Sequence, residues 1–193
     1  MKLFAVTFIL LSSIFCGCIS QEQVIEEEVV ISSPDRMSFS APLMSMNSSE
    51  MVLQEYVSDG PVLLIWVAAG CMGCHSWTDL IADEVNNGNI SNSSLLSIHR
   101  YPSFESVSYV EEVYGSHENS TNPVSWPLVL PPEDTIVIDL DTGLESEVSF
   151  YDAFGYPSTP TLQIMDTSGE IIWSSKTYWP SASVLEEIKN IIN

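Results

Sequence analysis

Cys71-Met72-Gly73-Cys74-His75 is the stretch of this chain whose residue types can do covalent chemistry. Two cysteines three positions apart can lie one helical turn from each other, close enough to form and open a disulfide without moving the backbone. An apolar run over 61–68 precedes them and reads as a buried strand, and Trp77, Leu80, Ile81 and Val85 follow at helical spacing. A cysteine pair where a strand hands over to a helix puts the first thiol at the helix start, where unpaired N–H groups and the dipole favour a thiolate. On this reading Cys71 is the attacking thiolate and Cys74, one turn further in, resolves the mixed disulfide. His75 can favour the thiolate when protonated, supply a proton near neutral pH, or simply be solvated. The same five residues also spell the haem-attachment pattern C-x-x-C-H. Zinc is not expected: a structural site wants four ligands, and Cys71, Cys74 and one histidine fall short of that.

The elements around this stretch alternate in type. Ser48 or Ser49 can cap a helix carrying Met51, Val52, Tyr56 and Val57, stopped by Gly60-Pro61. A strand over 61–67 leads into the cysteine helix, which runs to about residue 87. A second strand is expected over 95–101. A short helix then carries Val107, Val110, Val113 and Tyr114 and ends at Gly115. A polar loop over 116–123 leads into Trp126-Pro127-Leu128-Val129-Leu130. Residues 135–140 read as a strand, and 145–154 as a helix with Val148, Tyr151 and Phe154 on one face. After Gly155-Tyr156-Pro157-Ser158-Thr159-Pro160-Thr161, a hairpin is expected from strands 162–165 and 170–174 around Asp166-Thr167-Ser168-Gly169. Ser183-x-x-Glu186 is a capping box for a last helix that buries Val184, Leu185, Ile188, Ile191 and Ile192. Trp66 and Trp77 read as core. The order βαβα, then a hairpin and a helix, argues an α/β fold with a central sheet between helices.

Composition bounds what this fold can do. The 193 residues include 26 acidic and 5 basic ones, a net charge of −21. So few cations cannot build a basic patch, which excludes nucleic-acid binding and leaves a well-hydrated acidic surface. Lys2, the apolar run 3–11 and the small residues after it have the layout of an export signal, too short for a span of roughly 20 residues. Phe15-Cys16-Gly17-Cys18 resembles a lipobox, with Cys18 the residue cleaved to and lipidated; simple cleavage or an uncleaved anchor are the alternatives. Residues 1–18 are thus expected to be signal peptide and lipobox. Residues 19–46 would then be a flexible acidic tether of about 30 Å root-mean-square span, along which 37–46 can drape on the domain, and 47–193 the domain. With Cys16 removed and Cys18 capped, only Cys71 and Cys74 remain, so this is not a disulfide-stapled scaffold. Asn47, Asn89, Asn92 and Asn119 head N-x-S/T sequons, candidate glycosylation sites that agree with export.

The cysteine pair at the start of the second helix, together with Thr159-Pro160 ahead of a hairpin, resembles the thioredoxin fold over roughly residues 48–193. The extra segment from Val107 to Leu140 is similar to the insertion of the membrane-anchored TlpA/ResA type of thiol–disulfide oxidoreductase. The resemblance implies a central mixed sheet flanked by helices, with an insertion (about 103–133) before a cis-proline hairpin. It implies that Pro160 is cis and faces the cysteines, and that Thr159 offers backbone hydrogen bonds to an extended substrate peptide, with Met72 and Gly73 completing the contact surface. It further implies protein thiols and disulfides as substrates, an unidentified redox partner, the extracytoplasmic face of the membrane as location, and no cofactor beyond the Cys71–Cys74 disulfide. Two positions depart from the family: Gly70 stands where a tryptophan usually precedes the first cysteine, and Ile65 where thioredoxins carry a buried carboxylate.

Two other readings make different predictions. One is a catalytically silent thioredoxin fold that binds peptides and keeps Cys71–Cys74 as a structural disulfide. The other is a c-type haem protein, with Met165 or Met44 as a distal ligand; but small c-type cytochromes are mainly helical, whereas here a strand feeds the motif and a hairpin follows. The purified protein is therefore expected to show no Soret band in its optical spectrum.

Overall fold

The computed structural model describes residues 32–44 and 49–193. The elements, in chain order, are β1 (Met37–Ser38), β2 (Ser40–Pro42), β3 (Glu50–Val52), α1 (Leu53–Tyr56), β4 (Val62–Val67), α2 (Met72–Asn86), β5 (Leu95–His99), α3 (Val107–Tyr114), β6 (Leu128–Val129), β7 (Ile136–Asp139), β8 (Leu144–Ser149), α4 (Phe150–Ala153), β9 (Thr161–Met165), β10 (Ile171–Ser175) and α5 (Ala182–Ile192). Five of the strands form a mixed sheet in the order β10-β9-β4-β5-β6. β4, β5 and β6 run parallel, while β9 pairs antiparallel with both β4 and β10.

All six residues of β4 are buried, as a parallel strand covered on both faces requires. Its side chains alternate between two cores. Leu63, Ile65 and Val67 pack with Cys74, Trp77 and Ile81 of α2, Val110 and Tyr114 of α3, and Leu185 and Ile188 of α5. Val62, Leu64 and Trp66 pack on the other side with Phe39, Leu53, Val137, Phe150 and Phe154. Aromatic rings dominate this second core: Phe39 meets Phe150 edge-on with centroids 4.4 Å apart, and Trp66 lies 5.4 Å from Phe150.

The α/β class, the central mixed sheet and its covering helices are as the sequence implies, but several boundaries differ. Of the stretch assigned to the tether, residues 37–44 lie on the domain, the draping that the sequence allows. Met37, Phe39 and Ala41 are buried; β1 pairs with β7, β2 pairs with β3, and Leu43 bridges to Val129. The folded unit thus begins ahead of residue 47, because Met37, Phe39 and Ala41 alternate at strand period and cover the outer face of the sheet. Gly169 makes room for this segment: its φ is +90°, and a β-carbon there would stand 2.9 Å from the Met37 carbonyl oxygen. Cys18 and Asn47 lie outside the described residues.

The expected helix over 49–57 shrinks to one turn, because Glu50–Val52 are drawn into pairing with β2. Residues 145–149 form β8, not helix, in a hairpin with β7; only Phe150–Ala153 turn helical. The last helix starts at Ala182 after Ser181, with no side-chain cap: the Ser183 hydroxyl pairs with that of Ser181 instead of closing a box. The segment over 103–133 contributes α3 and β6, the latter an edge strand beside β5.

Since Phe39 is fully buried among rings, Phe39→Ala is expected to cost about 3–5 kcal/mol in urea unfolding. Phe104→Ala, at a ring 85% exposed, should stay within about 0.5 kcal/mol of wild type.

Candidate redox site

β4 ends at Val67, and residues 68–70 carry the chain to Cys71, which stands at the N-cap of α2 in extended conformation. Its sulfur accepts a hydrogen bond from the Cys74 N–H at 3.1 Å. The two sulfurs are joined as a disulfide, with Cα atoms 5.2 Å apart. Cys71 is 8% exposed and Cys74 is fully buried. The pair is therefore asymmetric: what access there is belongs to Cys71, at the first turn of a fifteen-residue helix.

Side chains from three elements fasten the approach loop. The Tyr114 hydroxyl of α3 donates to the Ala68 carbonyl at 2.9 Å. Burial pushes the Tyr114 hydroxyl well above its ordinary range, so it remains a donor. His75 Nε2 lies 2.8 Å from the Ala69 carbonyl. A carbonyl only accepts, so that ring nitrogen carries the hydrogen. The ring also meets Tyr114 edge-on at 5.8 Å.

Glu105, in the connection between β5 and α3, accepts from Ala69 N–H at 2.7 Å and from Gly70 N–H at 3.0 Å. His99 Nε2, at the end of β5, donates to the same carboxylate at 3.0 Å. Burial alone would push the Glu105 carboxyl up, but the hydrogen bonds from Gly70, Ala69 and His99 outweigh it and hold the carboxyl below its usual range. Burial pushes the His99 imidazole down, against the pull of Glu105.

Thr161 pairs with Trp66 in the β4–β9 register. That register carries Thr159 and Pro160 past the end of β4, beside the 68–71 loop. The Thr159–Pro160 bond is cis, Pro160 is buried and Thr159 half-buried. Arg100 braces the preceding loop. Its Nε donates to the Pro157 carbonyl at 2.7 Å, and its guanidinium lies 4.4–4.9 Å from the rings of Tyr101, Tyr151 and Tyr156.

Met72 is 60% exposed beside Cys71. Gly73 lies under Tyr178: a β-carbon at position 73 would stand 2.6 Å from the Tyr178 carbonyl oxygen and 2.9 Å from its ring. Trp77 Nε1 donates to the Thr177 carbonyl at 2.8 Å, tying this loop to α2, and Tyr178 meets Trp179 edge-on at 4.9 Å. Met72, Tyr178 and Trp179 are the exposed apolar side chains of this corner.

Sequence reasoning singled out Cys71, Cys74, His75, Met72, Gly73, Thr159 and Pro160, and the fold gathers them at one end of the sheet. It missed Glu105, His99, Tyr114 and Tyr178, none of which sits in a motif. The β4–β5 register, which sets Val67 opposite His99, brings in His99 and Glu105, and the packing of the 176–179 loop on α2 brings in Tyr178. Ile65 is fully buried in the first core, as its apolar type requires. Asn89, Asn92 and Asn119 are exposed. Among the described residues, no cluster of three or more His, Cys, Asp or Glu is placed to hold a metal ion, and no helix is long and apolar enough to cross a membrane.

No protein-family model matches the sequence, and no curated protein matches it. The architecture does match solved structures. The thioredoxin domain of a thiol-disulfide oxidoreductase from Bacteroides vulgatus aligns at TM-score 0.56 and 13% identity, over 84% of this chain and 98% of that one. A thiol:disulfide interchange protein DsbE from Chlorobium tepidum aligns at 0.54 and 11% identity, over 82% and 94%. The exposed lipoprotein thioredoxin of Streptococcus pneumoniae aligns at 0.51 and 16% identity, over 79% and 98%. The fold is therefore thioredoxin-like, of the kind found in thiol–disulfide oxidoreductases, and a disulfide-bonded cysteine pair stands at the start of its α2.

The space at Gly73 is already filled by Tyr178. Gly73→Ala should displace the Lys176-Thr177-Tyr178-Trp179 loop and lower stability by about 1–3 kcal/mol, read by thermal unfolding. Gly70→Ala has only Glu105 Oε1 at 3.6 Å to meet and should cost less than half as much.

Proposed function

We propose that this protein is a thiol–disulfide oxidoreductase that exchanges disulfides with protein substrates outside the cytoplasm, tethered to the membrane through a lipid on Cys18. The observation that carries the reading is the asymmetry of the pair: Cys71 is slightly exposed at the N-cap of α2 and Cys74 is fully enclosed behind it.

Exchange divides between the two sulfurs accordingly. From the reduced pair, the Cys71 thiolate attacks one sulfur of a substrate disulfide, forming a mixed disulfide and releasing the other substrate sulfur as a thiolate, which takes up a proton. Cys74 then loses its proton and attacks Cys71 Sγ. The Cys71–Cys74 disulfide forms, the second substrate sulfur leaves as a thiolate, and two electrons have passed to the substrate. Run backwards, the same steps oxidise a substrate dithiol.

Thr159 and Pro160 on one side and Met72 on the other form the surface that receives the substrate chain, with Tyr178 and Trp179 as its apolar rim; Gly73 lies beneath Tyr178 and serves that surface by leaving room for it. His75 acts through the loop, by holding the Ala69 carbonyl, and sequons at Asn47, Asn89, Asn92 and Asn119 are candidate modification sites. Export and lipidation are supported by the layout of residues 1–18 and by the presence, among proteins of this fold, of an exposed lipoprotein thioredoxin. No cofactor beyond the disulfide is required.

Insulin reduction by dithiothreitol, with wild type against Cys71→Ser, tests the reading. Wild type is expected to speed the reaction at least tenfold over the variant. Equal rates at background would leave a silent module with a structural disulfide.

A further inference from the structure

β4 offers no carboxylate near the cysteines, since Ile65 is buried among apolar side chains. A carboxylate nevertheless reaches the redox loop from another element. Glu105 binds the N–H groups of Ala69 and Gly70, the two residues immediately before Cys71, and a third donor, His99, fixes its orientation. Its side chain is 14% exposed, and among the described residues neither lysine nor arginine makes an ion pair with it. We propose that Glu105, held by His99, sets the redox potential of the Cys71–Cys74 pair by keeping a fixed negative charge on the backbone that leads into Cys71. The proposal rests on the redox reading above.

Consecutive Cα atoms are about 3.8 Å apart, so a carboxylate bonded to the Gly70 amide stays within roughly 6–9 Å of the Cys71 sulfur. A negative charge at that range opposes ionisation of the thiol. In partly buried surroundings the effect is about tenfold in the ionisation constant. It works against the helix start, which favours the thiolate. The carboxylate therefore penalises the reduced, ionised form and leaves the disulfide relatively more stable, making the pair more reducing.

The neighbouring groups do not cancel this charge. From β5, burial disfavours the charged form of His99, and Arg100 is turned away to the Pro157 carbonyl. From α3, the Tyr114 hydroxyl is committed to the Ala68 carbonyl, and Tyr109 of the same helix and Asp79 of α2 act on it electrostatically. From α2, His75 is committed to the Ala69 carbonyl, and Cys74 lies behind Cys71. As a positioning residue, Glu105 touches the loop and not the reacting sulfurs.

The test is equilibration of wild type, Glu105→Gln and Glu105→Asp with reduced and oxidised dithiothreitol from pH 5.5 to 9, the fraction oxidised being read by thiol alkylation and mass. Reduction takes two electrons and two protons from dithiothreitol to the protein disulfide and closes the dithiothreitol ring. Glu105→Gln is expected to be more oxidising than wild type by about tenfold in the equilibrium constant, ~30 mV, once Cys71 is ionised. The gap should shrink towards zero at the acid end, where the thiol is protonated in both. Glu105→Asp keeps the charge and should follow wild type. A shift of the same size at every pH, or one shared by both variants, would make Glu105 a structural brace only and overturn the proposal. In wild type, the carboxyl carbon resonance of Glu105 should step at the Cys71 titration in the reduced protein and not in the oxidised one. A missing step overturns the proposal even if Glu105→Gln fails to fold. A wild-type disulfide that dithiothreitol leaves intact would sink the redox reading itself, a result distinct from either.

Discussion

The burial of β4 on both faces is the constraint on which the rest of this structure depends. Six consecutive apolar residues, Val62–Val67, need cover above and below. The helices α2, α3 and α5 supply cover on one face, and an aromatic layer from Phe39, Phe150 and Phe154 supplies it on the other. Once that strand is fixed, its C-terminal end is fixed too, and the chain must leave the sheet at Ala68 with its backbone polar groups still to be satisfied.

How those groups are satisfied is what makes the site. Tyr114 takes the Ala68 carbonyl, His75 the Ala69 carbonyl, and Glu105 the N–H groups of Ala69 and Gly70. Each partner comes from an element held by the same core, so stability and chemistry share one set of bonds. Position 73 has no side chain because Tyr178 lies on it, whereas at position 70 a β-carbon would meet Glu105 Oε1 only at ordinary contact distance.

The acidic surface bears on this arrangement as well. With a net charge of −21, an uncompensated carboxylate on the redox loop is in keeping with the whole molecule. Burial and fixed geometry give the Glu105 charge its reach, since a solvated carboxylate at the same distance would be screened by water and salt.

The residue pattern by itself determined a good deal: the strand–CxxC–helix handover, the α/β order, the hairpin at Asp166-Thr167-Ser168-Gly169, and the pairing of Cys71 with Cys74, whereas the cis bond at Pro160 was implied by the family resemblance. These are local signals, written in periodicity and in motifs a few residues long. It misassigned 50–52 and 145–149, whose residues accept either helix or strand until a pairing partner is present, and it gave 37–46 no strands, only a stretch able to drape on the domain, because Ser and Pro mask the alternation of Met37, Phe39 and Ala41. The tertiary structure alone decided that Glu105 and His99 belong to the site, and that Tyr178 closes it. The reason is physical: these residues reach the cysteines through the parallel register of β4 with β5 and through the packing of the 176–179 loop on α2, and neither is encoded by spacing along the chain.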